Sequence, residues 1–161
     1  MKSNRSDYLK YWRVIRQYVK VRYGLNQADL DMLLFLYSEK YFGKDKFQEF
    51  NELLSWDEKR FNRLLTLGWI QNFRPRGQGM KGLYALSYKA NRMIGSIYKK
   101  LNGEEIPMTM TNNPMFLKNV DYSDKVYRNM IKYINAEARR ARLTGQEPHH
   151  VPEWWYTARH V

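Results

Sequence analysis

A mainly α-helical fold with one small β-hairpin is what the sequence predicts, and three observations carry that expectation. Apolar residues recur at three- and four-residue spacing over most of the chain, the period of a helix packed on one side. Short β-prone pieces, "WIQNFRPR" and "GLYALSY", bracket Gly77, Gly79 and Gly82 and interrupt that period once. Capping residues and glycines mark the helix ends.

The first helix is capped by Ser6, places Tyr8, Tyr11, Trp12, Ile15, Tyr18 and Val19 on one stripe, and ends at Gly24. Asn26 is a good N-cap for the second, with Asp29 at the positive end of the dipole. The apolar run "LDMLLFLYSEKYF" that follows belongs in a core. After a turn at Gly43-Lys44-Asp45, Phe47, Phe50, Leu53 and Leu54 suit a short third helix. Ser55-Trp56-Asp57-Glu58 has the form of a capping box and starts a fourth almost at once, the layout of a helix-turn-helix. Gly68 is a natural C′ residue for that helix.

The hairpin comes next, with a loose basic tip; Pro75 places its strand at an edge or ends it early. Ser87 caps a fifth helix through Lys100, with Met93, Ile94, Ile97 and Leu101 on one side. The stretch "NGEEIPMTMTNNPMFLKN" has the content of an ordered loop or linker. A sixth helix from about Ser123 to Leu143 carries Val126, Tyr127, Met130, Ile131, Ile134, Ala138 and Ala141 on one stripe. The expected organisation is an N-terminal helix over 1–23, a winged helix-turn-helix over 24–101, a linker loop over 102–119, a C-terminal helix over 120–144 and an aromatic tail over 145–161.

The 161 residues, 43% of them apolar, carry a net charge of +12. Residues 1–23 contribute +6, residues 24–58 contribute −5, and 59–103 hold ten cations and no carboxylate. A single-sign segment attracts polyanions, of which nucleic acid is the commonest inside a cell. With no cysteine, disulfide and thiolate chemistry are excluded. No apolar run approaches the roughly 20 residues a bilayer requires, and "MKSNRSDYLKYW" lacks the apolar stretch of a signal peptide, so a soluble intracellular protein is expected.

On the fourth helix, read as 56–67, Lys59, Asn62, Arg63 and Thr66 fall within about 100° of one another, opposite Phe61, Leu64 and Leu65. These four, with Arg60 beside them, are candidates for base-edge and phosphate contacts in duplex DNA. Arg74, Arg76 and Lys81 of the hairpin, the wing over 70–86, are candidates for backbone or minor-groove contacts. The phrases "LLTLGWIQNF" and "YALSYKANRM" lie where MarR-type transcription regulators enter and leave their wing, and from about Tyr8 to Leu143 the order of elements resembles that family. The wing has Arg74-Pro75-Arg76-Gly77 and Lys81 where the family has an aspartate-arginine signature, and Ala90 replaces a usual glycine. The resemblance implies a two-fold dimer built from the first helix and the last two, DNA reading by helix four, and a pocket for a small effector. Tyr11, Trp12, Met130 and Ile134 are accordingly candidate partner contacts.

Catalysis is not expected. Glu104-Glu105 and Asp57-Glu58 are adjacent pairs that cannot flank a substrate, His149-His150 lacks a third ligand, and "GxGxxG" at 77–82 lies between half-polar strands rather than before a helix. No cofactor or metal is called for. Trp154, Trp155 and Tyr156 in the tail suit packing on the chain itself or on a partner. The tail, the nonstandard wing and the long "NGEEIPMTMTNNPMF" stretch motivate an alternative, a non-catalytic adaptor or structural component of a nucleoprotein assembly such as a viral packaging or virion protein.

Overall fold

The computed structural model describes residues 8–46, 48 and 58–145. In chain order it contains α1 (Tyr8–Tyr23), α2 (Gln27–Tyr37), α3 (Glu58–Thr66), β1 (Ile70–Arg74), β2 (Leu83–Leu86), α4 (Tyr88–Leu101), a single 3-10 turn at Pro114–Phe116, and α5 (Tyr122–Thr144). Helical backbone also begins at 44–46 and 48. The expected helix positions Phe47, Phe50, Leu53 and Leu54, the capping-box residues Ser55 to Asp57, and the aromatic tail lie outside the described residues. Among the described residues no helix is long and apolar enough to cross a membrane.

The chain divides into two compact units, one made of Leu25–Ser96 and the other of the chain on either side of it. In the central unit α2 opens with a complete capping box: the Asn26 side chain accepts from the Asp29 amide and the Asp29 carboxylate accepts from the Asn26 amide. Its Leu30, Met32, Leu33 and Leu36 are buried with Phe61 and Leu64 of α3, Trp69, Ile70, Ala85 and Leu86 of the hairpin, and Ala90, Met93 and Ile94 of α4. α3 stops where Gly68 turns left-handed at φ 82°, the conformation a C′ glycine supplies without Cβ strain. The Trp69 amide then donates to the Leu64 carbonyl at 2.9 Å, and the chain enters β1.

β1 and β2 pair antiparallel, Ile70 opposite Leu86 and Asn72 opposite Tyr84, with an irregularity between Asn72 and Arg74. β1 ends just before Pro75, which has no N–H to continue the ladder. Phe42 adds a one-residue third strand: its amide donates to Tyr84 O at 3.0 Å and the Tyr84 amide returns a bond of 2.8 Å. The expected loose tip is corrected. Gly77 and Met80 exchange backbone hydrogen bonds around Gln78 and Gly79, both at positive φ, which makes a tight two-residue turn of the primed kind favoured in hairpins. Together, α2, α3 and the braced hairpin form a winged helix. Ser87 Oγ accepts from the Ala90 amide at 3.2 Å and starts α4, as its cap role requires.

In the flanking unit α1 packs against α5 and against the 3-10 turn. The buried stripe of α1 is Tyr11, Val14, Ile15, Tyr18 and Val19; Tyr8 is exposed and Trp12 half-buried. α5 buries Ile131, Ile134, Asn135, Ala138 and Ala141, so one amide sits inside an otherwise apolar stripe. Residues 102–119 form an ordered loop rather than a spacer, because Ile106, Asn113 and Met115 are all buried. Asn135 pins this loop with two bonds of 2.8 Å, accepting from the Ile106 amide and donating to the Ile106 carbonyl. Arg128 donates to the Met115 and Leu117 carbonyls. Burial raises the Tyr18 phenol above its ordinary value, so it stays a donor toward the Asn112 carbonyl.

Glu105 fastens the same loop to α5 by ion pairs to Arg139 at 2.6 Å and Arg142 at 2.8 Å. Hydrogen bonds from Arg142 first, then Arg139, hold its carboxyl below the ordinary value of 4.5. The folded form therefore binds this proton less readily than the unfolded chain. The pair's stabilisation is complete above the ordinary carboxylate value and is lost as pH falls through the lowered folded value. Glu105→Gln is expected to flatten the acid limb of Tm against pH; acid limbs that stay parallel would show the contact to be energetically silent.

Candidate nucleic-acid interface

α3 places its side chains as helical geometry requires: Phe61 and Leu64 are buried, while Lys59, Asn62, Arg63 and Thr66 are exposed. These four occupy one outward row. Thr66 Oγ1 donates back to the Asn62 carbonyl at 2.9 Å, which turns the hydroxyl lone pairs outward as acceptors.

The arginines behave differently from the sequence expectation. Arg60 Nη1 donates to Asp29 Oδ1 at 2.9 Å and to Asn26 Oδ1 at 3.0 Å, and Arg63 Nη2 also pairs with Asp29 Oδ1. Asp29 is 3% exposed, so its charge depends on these partners. Arg60, only 18% exposed as a side chain, thus braces α2 against α3. Arg63 keeps about half its side chain in solvent and offers its remaining donors outward.

On the wing, Arg74 is half-buried and its Nη2 donates to the Lys81 carbonyl at 3.0 Å, bracing one side of the hairpin against the other. Lys81 is exposed and pairs with Asp45. Arg76 is exposed and makes no ion pair or hydrogen bond among the described residues. The carboxylate-free run of the sequence is thus partly neutralised in space. Asp29 and Asp45 come from the acidic 24–58 segment to meet Arg60, Arg63 and Lys81, leaving Lys59, Arg76 and part of Arg63 as the outward positive charge of α3 and the wing.

Of the four helical residues expected to meet a partner, Tyr11 and Ile134 are 2% and 4% exposed and pack inside the flanking unit, which corrects their assignment. They fill the core because α1 and α5 of the same chain cover each other. Trp12 and Met130 are half-buried. Trp154, Trp155 and Tyr156 lie outside the described residues. Sequence reasoning missed Phe42, Tyr84 and Asp29 as supports beneath this surface. Asn26 and Asp29 at cap spacing were visible, but nothing local signalled that Asp29 also receives two arginines from another helix.

The sequence matches no protein-family model and no curated protein sequence. Among solved structures the chain is similar to a cysteine mutant of MarR from E. coli complexed with operator DNA, at 14% identity and TM-score 0.41, over 78% of this chain and 86% of that one. It is also similar to disulfide-formed AbfR, at 13% identity and TM-score 0.41, over 85% of each chain. The winged-helix assignment stands on the connectivity and strand pairing described above.

Proposed function

We propose that this chain binds duplex DNA through α3 and the wing and acts as a MarR-like transcription regulator. One observation carries the reading: an outward row of Lys59, Asn62, Arg63 and Thr66 on a helix whose other side is buried, followed directly by a hairpin bearing Arg76 and Lys81. A helix of this kind fits the roughly 12 Å major groove, where such side chains bond base edges, while wing cations bond phosphates. Exposed apolar residues on the flanking helices, Leu9 of α1 and Tyr122 and Leu143 of α5, support pairing with a second copy, which would read two half-sites.

Fluorescence anisotropy with labelled duplexes at several salt concentrations tests the proposal. Affinity should fall steeply with salt, and replacing Arg76 and Lys81 together by alanine should lower the salt slope by about 2. Asn62→Ala should narrow the gap between a selected duplex and random sequence. Equal binding of every duplex by the unaltered protein would remove the regulator reading, and salt-independent or absent binding would remove the DNA reading altogether.

A further inference from the structure

Beside the wing lies a cleft of about 220 Å³, formed where the Gly43–Lys44 turn passes the open side of the hairpin. Lys44, Arg74, Arg76 and Lys81 all line it, with Asp45 as the single carboxylate, so its lining carries a net charge of 4 − 1 = +3. Its size is below the roughly 300–1,000 Å³ of sites for drug-sized ligands, which suits a small ion or one group of a larger molecule.

Gly43 and Gly82 line it without side chains, and their backbones run close together: a Cβ on Gly43 would lie 3.7 Å from Gly82 O. Two of the cations are already partly answered: Lys44 by Glu58 at 3.3 Å, and Lys81 by Asp45. Arg74 and Arg76 have no carboxylate partner among the described residues. Arg74 gives its Nη2 to the Lys81 carbonyl but keeps a buried Nε–H with no acceptor among the described residues, a group whose desolvation is costly until an acceptor arrives. Arg76 adds a guanidinium with its whole set of donors uncommitted among the described residues.

We propose that this cleft is a phosphate-binding site, held chiefly by the Arg76 guanidinium, with Lys44 adding charge and Arg74 shaping the wall. The planar fork of arginine matches a phosphate's oxygens with two parallel charge-assisted bonds, and lysine contributes a point charge. The phosphate has two sources, a free phosphorylated small molecule or the backbone of nucleic acid held by α3 and the wing; the second rests on the DNA reading above. Asp45 opposes the anion and sets the site's affinity from its rim.

The test is titration of the full ¹⁵N-labelled chain with inorganic phosphate, and separately with a short DNA duplex, at constant ionic strength maintained with sodium chloride. Saturable shifts of the Gly43 and Gly82 amides and the Arg76 Nε–H with inorganic phosphate support the site with a free ligand. The same shifts with duplex only support the site with nucleic-acid phosphate. Arg76→Gln, which removes no hydrogen bond or ion pair among the described residues, should weaken the response about tenfold, and Asp45→Asn should tighten it about threefold. Shifts in α3 with duplex but none in the cleft with either probe overturn the site and leave the DNA reading standing. Phosphate binding without duplex binding does the reverse. An Arg76→Gln response equal to that of the unaltered chain also overturns the proposal.

Discussion

Asp29→Ala is expected to destabilise the central unit by about 1–3 kcal/mol, the cost of leaving the half-buried Arg60 and the Asn26 amide without their acceptor. The residue holds three things at once: the Asn26 amide at the start of α2, Arg60 and Arg63. Urea unfolding reads the loss as a lower midpoint at unchanged slope. Asp29→Asn separates the roles, since its amide oxygen can still accept from Asn26 while the charge that holds Arg63 is gone. That variant should be less stable yet bind non-specific duplex more tightly, because Arg63 then turns all its donors to solvent. A drop in both, or a stability change under about 1 kcal/mol for alanine, would show that Asp29 does not hold the two helices.

The second large effect is expected at Asn135. Asn135→Leu removes both partners of a buried peptide unit, leaving the Ile106 N–H and C=O without bonds in an apolar surround. Each orphaned group costs about 1–3 kcal/mol, so a total loss of roughly 2–6 kcal/mol is anticipated. Leucine is apolar and of similar size, which makes the result a measure of the two bonds rather than of a cavity. Hydrogen exchange at the Ile106 amide should accelerate more than exchange in the α1 core. Equal acceleration throughout would mean that Asn135 contributes to general packing and does not pin the loop.

What could be read from the sequence follows from what is local. Gly24, Asn26, Gly68 and Ser87 end or begin helices for reasons contained within a few residues, and the structure places each in that role. The buried stripes of α1 and α5 follow from periodicity, and Phe61 and Leu64 from the same rule. Most of the misreadings involve partners far along the chain. Arg60 and Arg63 looked like free cations because their carboxylate lies 31 and 34 residues away. Residues 102–119 could be read as a linker because the amide that holds Ile106 sits 29 residues later, within a stripe where a polar residue has no local explanation. Gln78 gave no sign of a tight turn, since positive φ is the habit of glycine, asparagine and aspartate. Tyr11 and Ile134, offered as partner contacts, turned out buried for a related reason: periodicity shows that a face is covered but not by what.

The division of the chain bears on its synthesis. The central unit is continuous in sequence and can close as soon as residues 25–96 have left the ribosome, whereas the flanking unit needs both ends of the chain. From Tyr11 to Ile134 there are 123 residues, which at about 5–20 residues per second is a wait of roughly 6–25 s. During that interval the apolar stripe of α1 is translated but has no α5 to cover it. The nascent chain therefore carries its aggregation hazard at the N-terminus, and slowing elongation after Ser96 would prolong that exposure while the winged helix is already complete.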